Sequence, residues 1–234
     1  PVTERFESKY LFEERDLQPL PAKNVKPLKE ALVGKIPDGV LSSLKTAYDT
    51  VGDIAILEID EEHKEHEGAI GQTLLDSNPK LSTVLVKDAH HEGVYRTQKM
   101  RHVVGVDKRI GLHKENGVTL EVDVEEVYFS ARLSTERKRI MELVGEGERI
   151  LVMFSGCGPY TCVLSKNTLA AEVVGVEINP AGHELAMRNI KRNKLKNATT
   201  YCGDVRDVVP EIVEKTGRFN RILLIPAEVR FGII

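Results

Sequence analysis

The 234-residue sequence predicts an α/β protein: a parallel, doubly wound sheet preceded by a small α+β domain. Three observations predict it. From residue 145 onward, strand-like and helix-like stretches alternate at regular spacing, the pattern of βα units feeding a parallel sheet. The apolar run "RILVMF" is followed by the glycine-bearing loop "SGCGPY", which opens the next helix-like stretch. Residues 35–125 lack that rhythm and mix short strands with short helices. The chain therefore divides into an N-terminal arm (1–35), a small α+β domain (36–126) and a Rossmann-like domain (127–234).

The arm is polar, with prolines at 19, 21 and 27, and has room for one short helix. "DGVLSSLKTAYDTV" (38–51) sets Leu41, Leu44 and Tyr48 at helical spacing, and "GDIAILEI" (52–59) reads as a strand entered through glycine. "HKEHEGAIGQTLLDSNP" (63–79) reads as a helix ended by Asn-Pro, with His63 and His66 on its polar face. "LSTVLVK" (81–87) is a strand. Residues 93–124 alternate in pieces, with "ENG" as the hairpin turn between two of them. "SARLSTERKRIMELV" (130–144) is a helix with Leu133, Ile140 and Leu143 on one side. Strands follow in "ERILVMF", "EVVGVEIN", "ATTYCGD" and "FNRILLIP", with helices between them.

Composition narrows the function classes. Hydrophobic content of 41% and charged content of 29% are ordinary for a globular protein, and no apolar run is long enough to cross a bilayer. The charged start "PVTERFESKYLFEERD" lacks the apolar centre of a secretory signal. Cys157, Cys162 and Cys202 form no disulfide framework and no paired CxxC, which points to reduced thiols in the cytoplasm and to no structural zinc. The His90-His91 pair and His63/His66 are not expected to bind metal. A net charge of −3 provides no general attraction to nucleic acid but allows a local basic patch. No long apolar stripe is visible for self-association, so a monomer is expected.

Two readings fit the loop "GCGP". It is a tight turn that packs a helix onto a sheet, or its glycines let backbone approach a ligand. Glu177, at the end of the next strand about 20 residues on, stands where such folds hold a ribose diol. Asp204, ending the third strand, is placed either to accept from an adenine amino group or to cap the following helix. Tyr160 and Thr161 stand where a dinucleotide fingerprint would continue to its third glycine. The set fits S-adenosylmethionine better than NAD. Ahead of the loop, Arg132 and Glu136 are four residues apart on one helix, as a surface ion pair or as site groups.

Together, "VYFSARLSTERKRI", "MFSGCGPYTCVLSK", "VVGVEINPAGHELAMRNIKRNKL" and "CGDVRDV" resemble the archaeal/eukaryotic-type tRNA (guanine(37)-N1)-methyltransferases. "VGDIAILEI", "VYRTQ" and "HKENGVTLEVDV" resemble the domain that precedes the catalytic fold there, so the likeness runs from about residue 48 to 226. It implies a class I S-adenosylmethionine-dependent methyltransferase that acts on the anticodon stem-loop of tRNA. Glu136 would be the general base for the N1 proton, Arg96 the partner of guanine O6, and Arg132 an ordering group. Tyr128, Phe154, Gly156, Gly158, Glu177, Ile178, Asp204, Val205 and Pro226 would surround the cofactor. The target base would be flipped to reach them. Arg137, Lys138, Arg139, Lys191, Arg192, Lys194 and Lys196 are either phosphate contacts or solvated surface.

The chain departs from that family at Val152, where Asp is usual, and at Leu224, where Asn is usual. Four strands are visible where a class I methyltransferase has about seven, so the C-terminal part is expected to be incomplete. The domain that some members place on the tRNA elbow is absent or reduced to residues 1–35. Two alternatives stand beside methyl transfer. One is aminocarboxypropyl transfer to a wybutosine precursor by the sister family; the other is tRNA binding without catalysis.

Overall fold

The computed structural model describes residues 26–88, 93 and 95–225. The first part carries α1 (Leu28–Ala31), α2 (Asp38–Ser43), β1 (Tyr48–Val51), β2 (Ile54–Leu57), α3 (Glu67–Ser77), β3 (Thr83–Lys87) and β4 (Met100–Gly105). Its strands form one sheet in the order β1-β2-β3-β4, with β2 and β3 parallel and the outer pairs antiparallel. β2 and β3 are buried on both faces, which is why they read as continuous apolar runs. Ile70 and Leu74 of α3 pack on the sheet with Leu28 and Leu32, so residues expected in the arm already belong to this core.

Two local expectations change here. The helix expected over 38–51 stops at Ser43, and Tyr48–Val51 is a strand. Gly52 and Asp53 form a two-residue turn that pairs Val51 with Ile54. Gly52 takes φ +62°, and Tyr, Thr and Val fit the pleated ladder that the turn offers. His63, expected on a polar face, is buried with Nε2 3.0 Å from Ser43 Oγ.

A hairpin, β5 (Ile110–Glu115) and β6 (Val118–Asp123), turns at Asn116-Gly117 with both residues at positive φ. It bridges the two parts of the chain. Gly111 lies so close to β1 that an added Cβ would stand 2.4 Å from the Val51 carbonyl oxygen. Val118, Leu120 and Val122 share one core with Ile54 and Leu85 on one side and with Cys157, Val163 and Leu185 on the other.

The second part carries α4 (Ser134–Glu142), β7 (Arg149–Met153), α5 (Pro159–Asn167), β8 (Glu172–Glu177), α6 (Pro180–Arg192), β9 (Ala198–Cys202), α7 (Val205–Thr216) and β10 (Arg221–Leu224). The sheet is wholly parallel, in the order β10-β7-β8-β9. Asn189 of α6 and Asn193, which caps its C-terminus, bind the outer edge of β6. Asn189 accepts from Glu121 N at 2.7 Å and donates to its carbonyl at 3.0 Å, and Asn193 does the same for Thr119 at 2.9 and 2.8 Å. Side-chain amides thus replace a missing strand partner. Ile150, Val152 and Val173 face α5, while Leu151, Val174 and Val176 face Ile212 of α7. The doubly wound arrangement expected from the alternation is present. Strand order reverses between β7 and β10, and such a switch point leaves a crevice at the carboxyl ends of the strands. Among the described residues, no helix is long and apolar enough to cross a membrane.

Candidate functional site

A cavity of about 290 Å³ opens at that crevice. The β7–α5 loop contributes Phe154 to Gly156, the end of β8 contributes Glu177 to Asn179, and Ile225 follows β10. Val127 to Ser130, Arg137 of α4, Tyr160 of α5 and Arg96 also line it.

The glycine loop is tied to the end of β8. Glu177 is 8% exposed, and both of its carboxylate oxygens accept backbone hydrogen bonds: Gly156 N at 2.7 Å and Asn179 N at 2.8 Å. The loop also closes on itself, with Gly158 N donating to Ser155 O at 2.9 Å. Gly158 caps α5 at φ +79°, and a Cβ there would stand 3.2 Å from the Ala186 methyl, so glycine lets α5 approach α6. Asn179 caps α6, accepting from Ala181 N at 3.1 Å, ahead of Pro180.

Among the described residues, four non-glycine residues have positive φ: Arg96, Asn116, Phe154 and Lys194. Asn116 sits in the hairpin turn and Lys194 just beyond α6, where such geometry is ordinary. Arg96 and Phe154 instead line the cavity. Backbone strain of that kind, about 1–3 kcal/mol per residue, gathers at ligand sites.

A second cavity, of about 220 Å³, lies behind the segment Val127–Ser130. Asp49, Lys87, Gln98 and Arg132 line it, and Arg96 lines both cavities. Tyr128 and its neighbours are thus a shared wall between two chambers.

The sequence-predicted site residues divide accordingly. Arg96, Tyr128, Phe154, Gly156, Glu177 and Ile178 meet at the first cavity. Arg132 and Glu136 do not share a bond. Arg132 lies in a 3-10 turn (Ala131–Leu133) ahead of α4 and donates to Asp49 of β1 at 2.6 Å. Glu136 accepts two bonds from Arg139, both at 2.7 Å, and does not line either cavity. Hydrogen bonding to Arg139 holds its carboxyl below the usual range, outweighing a small opposing effect of burial. Asp204 takes the capping alternative. It accepts from Arg206 N at 2.8 Å and from the Arg206 guanidinium, which brings its carboxyl down to about 2. Neither it nor Val205 nor Gly158 lines the cavity. Pro226 and His90-His91 lie outside the described residues.

Arg137 corrects the sequence reading most. It was expected among solvated or phosphate-binding residues, yet it is 1% exposed. Its Nε and Nη2 donate to the two oxygens of Glu115 at 2.5 and 2.6 Å, and Nη2 also donates to Ser130 O at 3.0 Å. The guanidinium lies 5.4 Å from the Phe129 ring centre and 5.8 Å from that of Tyr160. Leu143, expected on one helix side with Leu133 and Ile140, lies just beyond α4 and is 54% exposed. The sequence carried no signal of this pair: Glu115 follows His113 and Lys114, and Arg137 stands inside the charged run 136–139. Of the other basic residues, Arg192 is tied to Glu121 at 2.7 Å.

A parallel switch-point sheet, a glycine loop held by an acid at the end of the next strand, and a second chamber behind one shared wall define an open α/β fold with its ligand crevice at the carboxyl ends of the strands. Residues 111–228 match the TRM5/TYW2 methyltransferase domain and residues 28–108 the TYW2 N-terminal domain, and the chain belongs to the TRM5/TYW2 methyltransferase family. The tRNA (guanine(37)-N(1))-methyltransferase Trm5b of Pyrococcus abyssi is 38% identical over 173 residues, 74% of this chain and 52% of that protein. The structure of aTrm5 in complex with tRNALeu is similar at a TM-score of 0.73 and 31% identity, over 91% of this chain and 61% of that one. Methanocaldococcus jannaschii Trm5 in complex with adenosine is similar at a TM-score of 0.66 and 32% identity, over 78% of this chain and 54% of that one. The chain spans about half the length of the curated archaeal relatives it matches.

Proposed function

We propose that this chain binds S-adenosylmethionine in the first cavity and transfers its methyl group to N1 of guanosine 37 of tRNA, with the target base in the second chamber. The observation that carries this reading is the pair of chambers divided by Val127–Ser130, one of them built on the glycine loop and Glu177. The residues present fit the cofactor. Each Glu177 oxygen accepts one backbone N–H and keeps a lone-pair direction for a ribose hydroxyl. Gly156 brings bare backbone to the cavity, and the Phe154 and Ile178 side chains, 44% and 37% exposed, offer apolar surface to an adenine ring. A relative, M. jannaschii Trm5, has been solved in complex with adenosine, which supports a nucleoside as the ligand.

S-adenosylmethionine supplies an electrophilic methyl carried on a sulfonium. The chain supplies alignment and one proton acceptor. Arg96 lines both chambers, and in this reading it faces guanine O6, where negative charge grows as N1 loses its proton. Glu136 accepts that proton. It first leaves Arg139, a part-exposed pair of the kind that costs little to open. A carboxyl group is ionised at neutral pH with or without Arg139 beside it, and so is able to accept. Arg132 and Asp49 tie the small domain to the start of α4 and keep the second chamber in shape. We assign residues 36–126 an RNA-facing role and the protein a cytoplasmic, monomeric life, in which Cys157, Cys162 and Cys202 stay free thiols.

Aminocarboxypropyl transfer is the second reading. Two observations favour it: the match of residues 28–108 to the TYW2 N-terminal domain, and Leu224 at the end of β10, 64% exposed, where an amide was expected. One experiment separates the two. S-adenosylmethionine is labelled either in the methyl or in the carboxyl carbon and incubated with tRNA transcripts bearing G or A at position 37, with Glu136→Gln in parallel. Methyl label on the G transcript alone, lost with Glu136→Gln, supports the first reading. Carboxyl label in RNA supports the second, and label in neither with cofactor bound sinks both.

A further inference from the structure

We propose that a lysine-lined groove on the small domain, remote from both chambers, holds sugar-phosphate backbone of the RNA substrate. The proposal rests on the reading that the substrate is RNA, and it adds a contact surface away from the target base. The groove has a volume of about 670 Å³ and runs along β5 and the turn between β1 and β2. Lys80, Lys108, Lys114, Asp53, Ile110 and Leu112 are in its lining. It lies at the start of β2 and β3, whereas the second chamber is lined by Lys87 at the end of β3. The five residues of β3 separate the two by about 15 Å.

The charge balance of the groove selects a polyanion. Asp53 is the one carboxylate among its described lining residues, and it is already bonded by Lys108 Nζ and Ser82 Oγ, both at 2.5 Å. His113, also in the lining, faces Glu115 at 3.3 Å. Lys80 and Lys114 are exposed, and neither ammonium forms a hydrogen bond or ion pair among the described residues. The groove therefore carries two uncommitted cations beside one that is neutralised. Ile110, Leu112 and Lys114 share the outer face of β5, and both apolar side chains are 46% exposed. They offer riboses a dry surface next to the cations. An acidic peptide is the competing occupant, but an extended peptide binds chiefly by adding a strand to an open sheet edge. The outer edge of β1 is taken by β5: a Cβ added at Gly52 would stand 2.6 Å from Leu112 O, and one at Gly111 2.4 Å from Val51 O. What remains is side-chain charge, which is what a phosphate backbone requires.

The test measures binding of a labelled tRNA transcript to the full chain by fluorescence anisotropy between roughly 50 and 200 mM salt, the range over which phosphate contacts are read. It needs neither cofactor nor turnover. The groove variant is Lys80→Gln combined with Lys114→Gln. The control is Lys64→Gln combined with Lys215→Gln, which removes the same charge at exposed positions outside the groove and both chambers. Each phosphate contact contributes about 1 to the slope of log affinity against log salt, so the groove variant should flatten that slope by about 2. Across that range the wild type should then lose about tenfold more affinity than the groove variant. The control should keep the wild-type slope. An equal flattening in both variants reports general charge and overturns the proposal. An unchanged slope in the groove variant overturns it too, and leaves the RNA reading standing. Polyglutamate is the second ligand: if the groove variant loses polyglutamate but keeps tRNA, the groove belongs to an acidic protein partner and the proposal fails. If the wild type binds no tRNA, the RNA reading fails and the groove fails with it.

Discussion

The first cavity is walled on one side by the glycine loop and the end of β8, and on another by the segment Val127–Arg137, and the two are held by different forces. The loop side is fixed by backbone hydrogen bonds to one buried carboxylate, Glu177, with partners no more than about two dozen residues apart in the chain. The α4 side is fixed by side-chain ion pairs with distant residues: Arg137 with Glu115 and Arg132 with Asp49. Backbone amides cannot be exchanged for a ligand without rebuilding the loop. Ion pairs can, and the exposed ones open cheaply while the buried one does not. The loop side is therefore a fixed cradle. The α4 side has one rigid anchor at Arg137 and movable charges at Arg132 and Glu136.

The largest expected effect tests the anchor. Arg137→Met leaves Glu115 buried without its cation and should cost about 3–5 kcal/mol in urea unfolding. Adding Glu115→Gln should restore most of that, and a single variant as stable as wild type would remove the distinction between anchor and movable pair. The same pair has a pH signature. Burial opposes ionisation of Glu115, but hydrogen bonds from His113 and Arg137 outweigh it and hold the carboxyl below its ordinary value. A depressed folded pKa contributes stability that is fully present above the unfolded value, about 4.3, and is lost as pH falls through the lower folded value. Glu115→Gln should flatten that acid loss in thermal melts from pH 7 downward.

Next in size is the cradle. Glu177→Gln places an amide donor against a backbone donor, which should cost about 1–3 kcal/mol of stability and weaken adenosine binding with it. Stability lost with adenosine affinity intact would show that Glu177 serves the loop alone. A smaller effect is expected at the movable charge. Without Arg139, the Glu136 carboxyl returns toward its ordinary pKa, so in Arg139→Gln the acid limb of the pH–rate profile for methyl transfer should move to higher pH. A limb that stays in place would mean the base is another group. The smallest effect belongs to Asp204. Asp204→Ala removes the α7 cap and should lower the melting temperature slightly, with adenosine affinity unchanged, because the side chain does not line the cavity.

Much of the parallel domain was legible from the chain because its signals are local. Alternation placed all four strands, and the acid about 20 residues after the loop proved to be the residue that binds it. Legibility failed where a distant partner decided the outcome. Tyr48–Val51 has a helix-compatible apolar spacing, and only the waiting edge of β2 makes it a strand. Arg132 and Glu136 are correctly spaced for one helix face, but the helix begins at Ser134 and each finds a closer partner, Asp49 and Arg139. Asp204 had two local readings, and the capping one prevailed because the Arg206 amide and side chain are its immediate neighbours.

By itself, then, the sequence determined the βα rhythm, the glycine loop and its acid, the hairpin turn at Asn116-Gly117 and the family likeness, all of which depend on residues within a few turns of one another. Only the tertiary structure decided that Arg137 is a buried anchor rather than surface charge, that the β5–β6 hairpin belongs to both cores, and that two chambers share the Tyr128 wall. The physical reason is the same in each case. A charge is stable in the interior only if an opposite charge arrives from elsewhere in the chain, and a hairpin buries two faces only when two other units come to cover them.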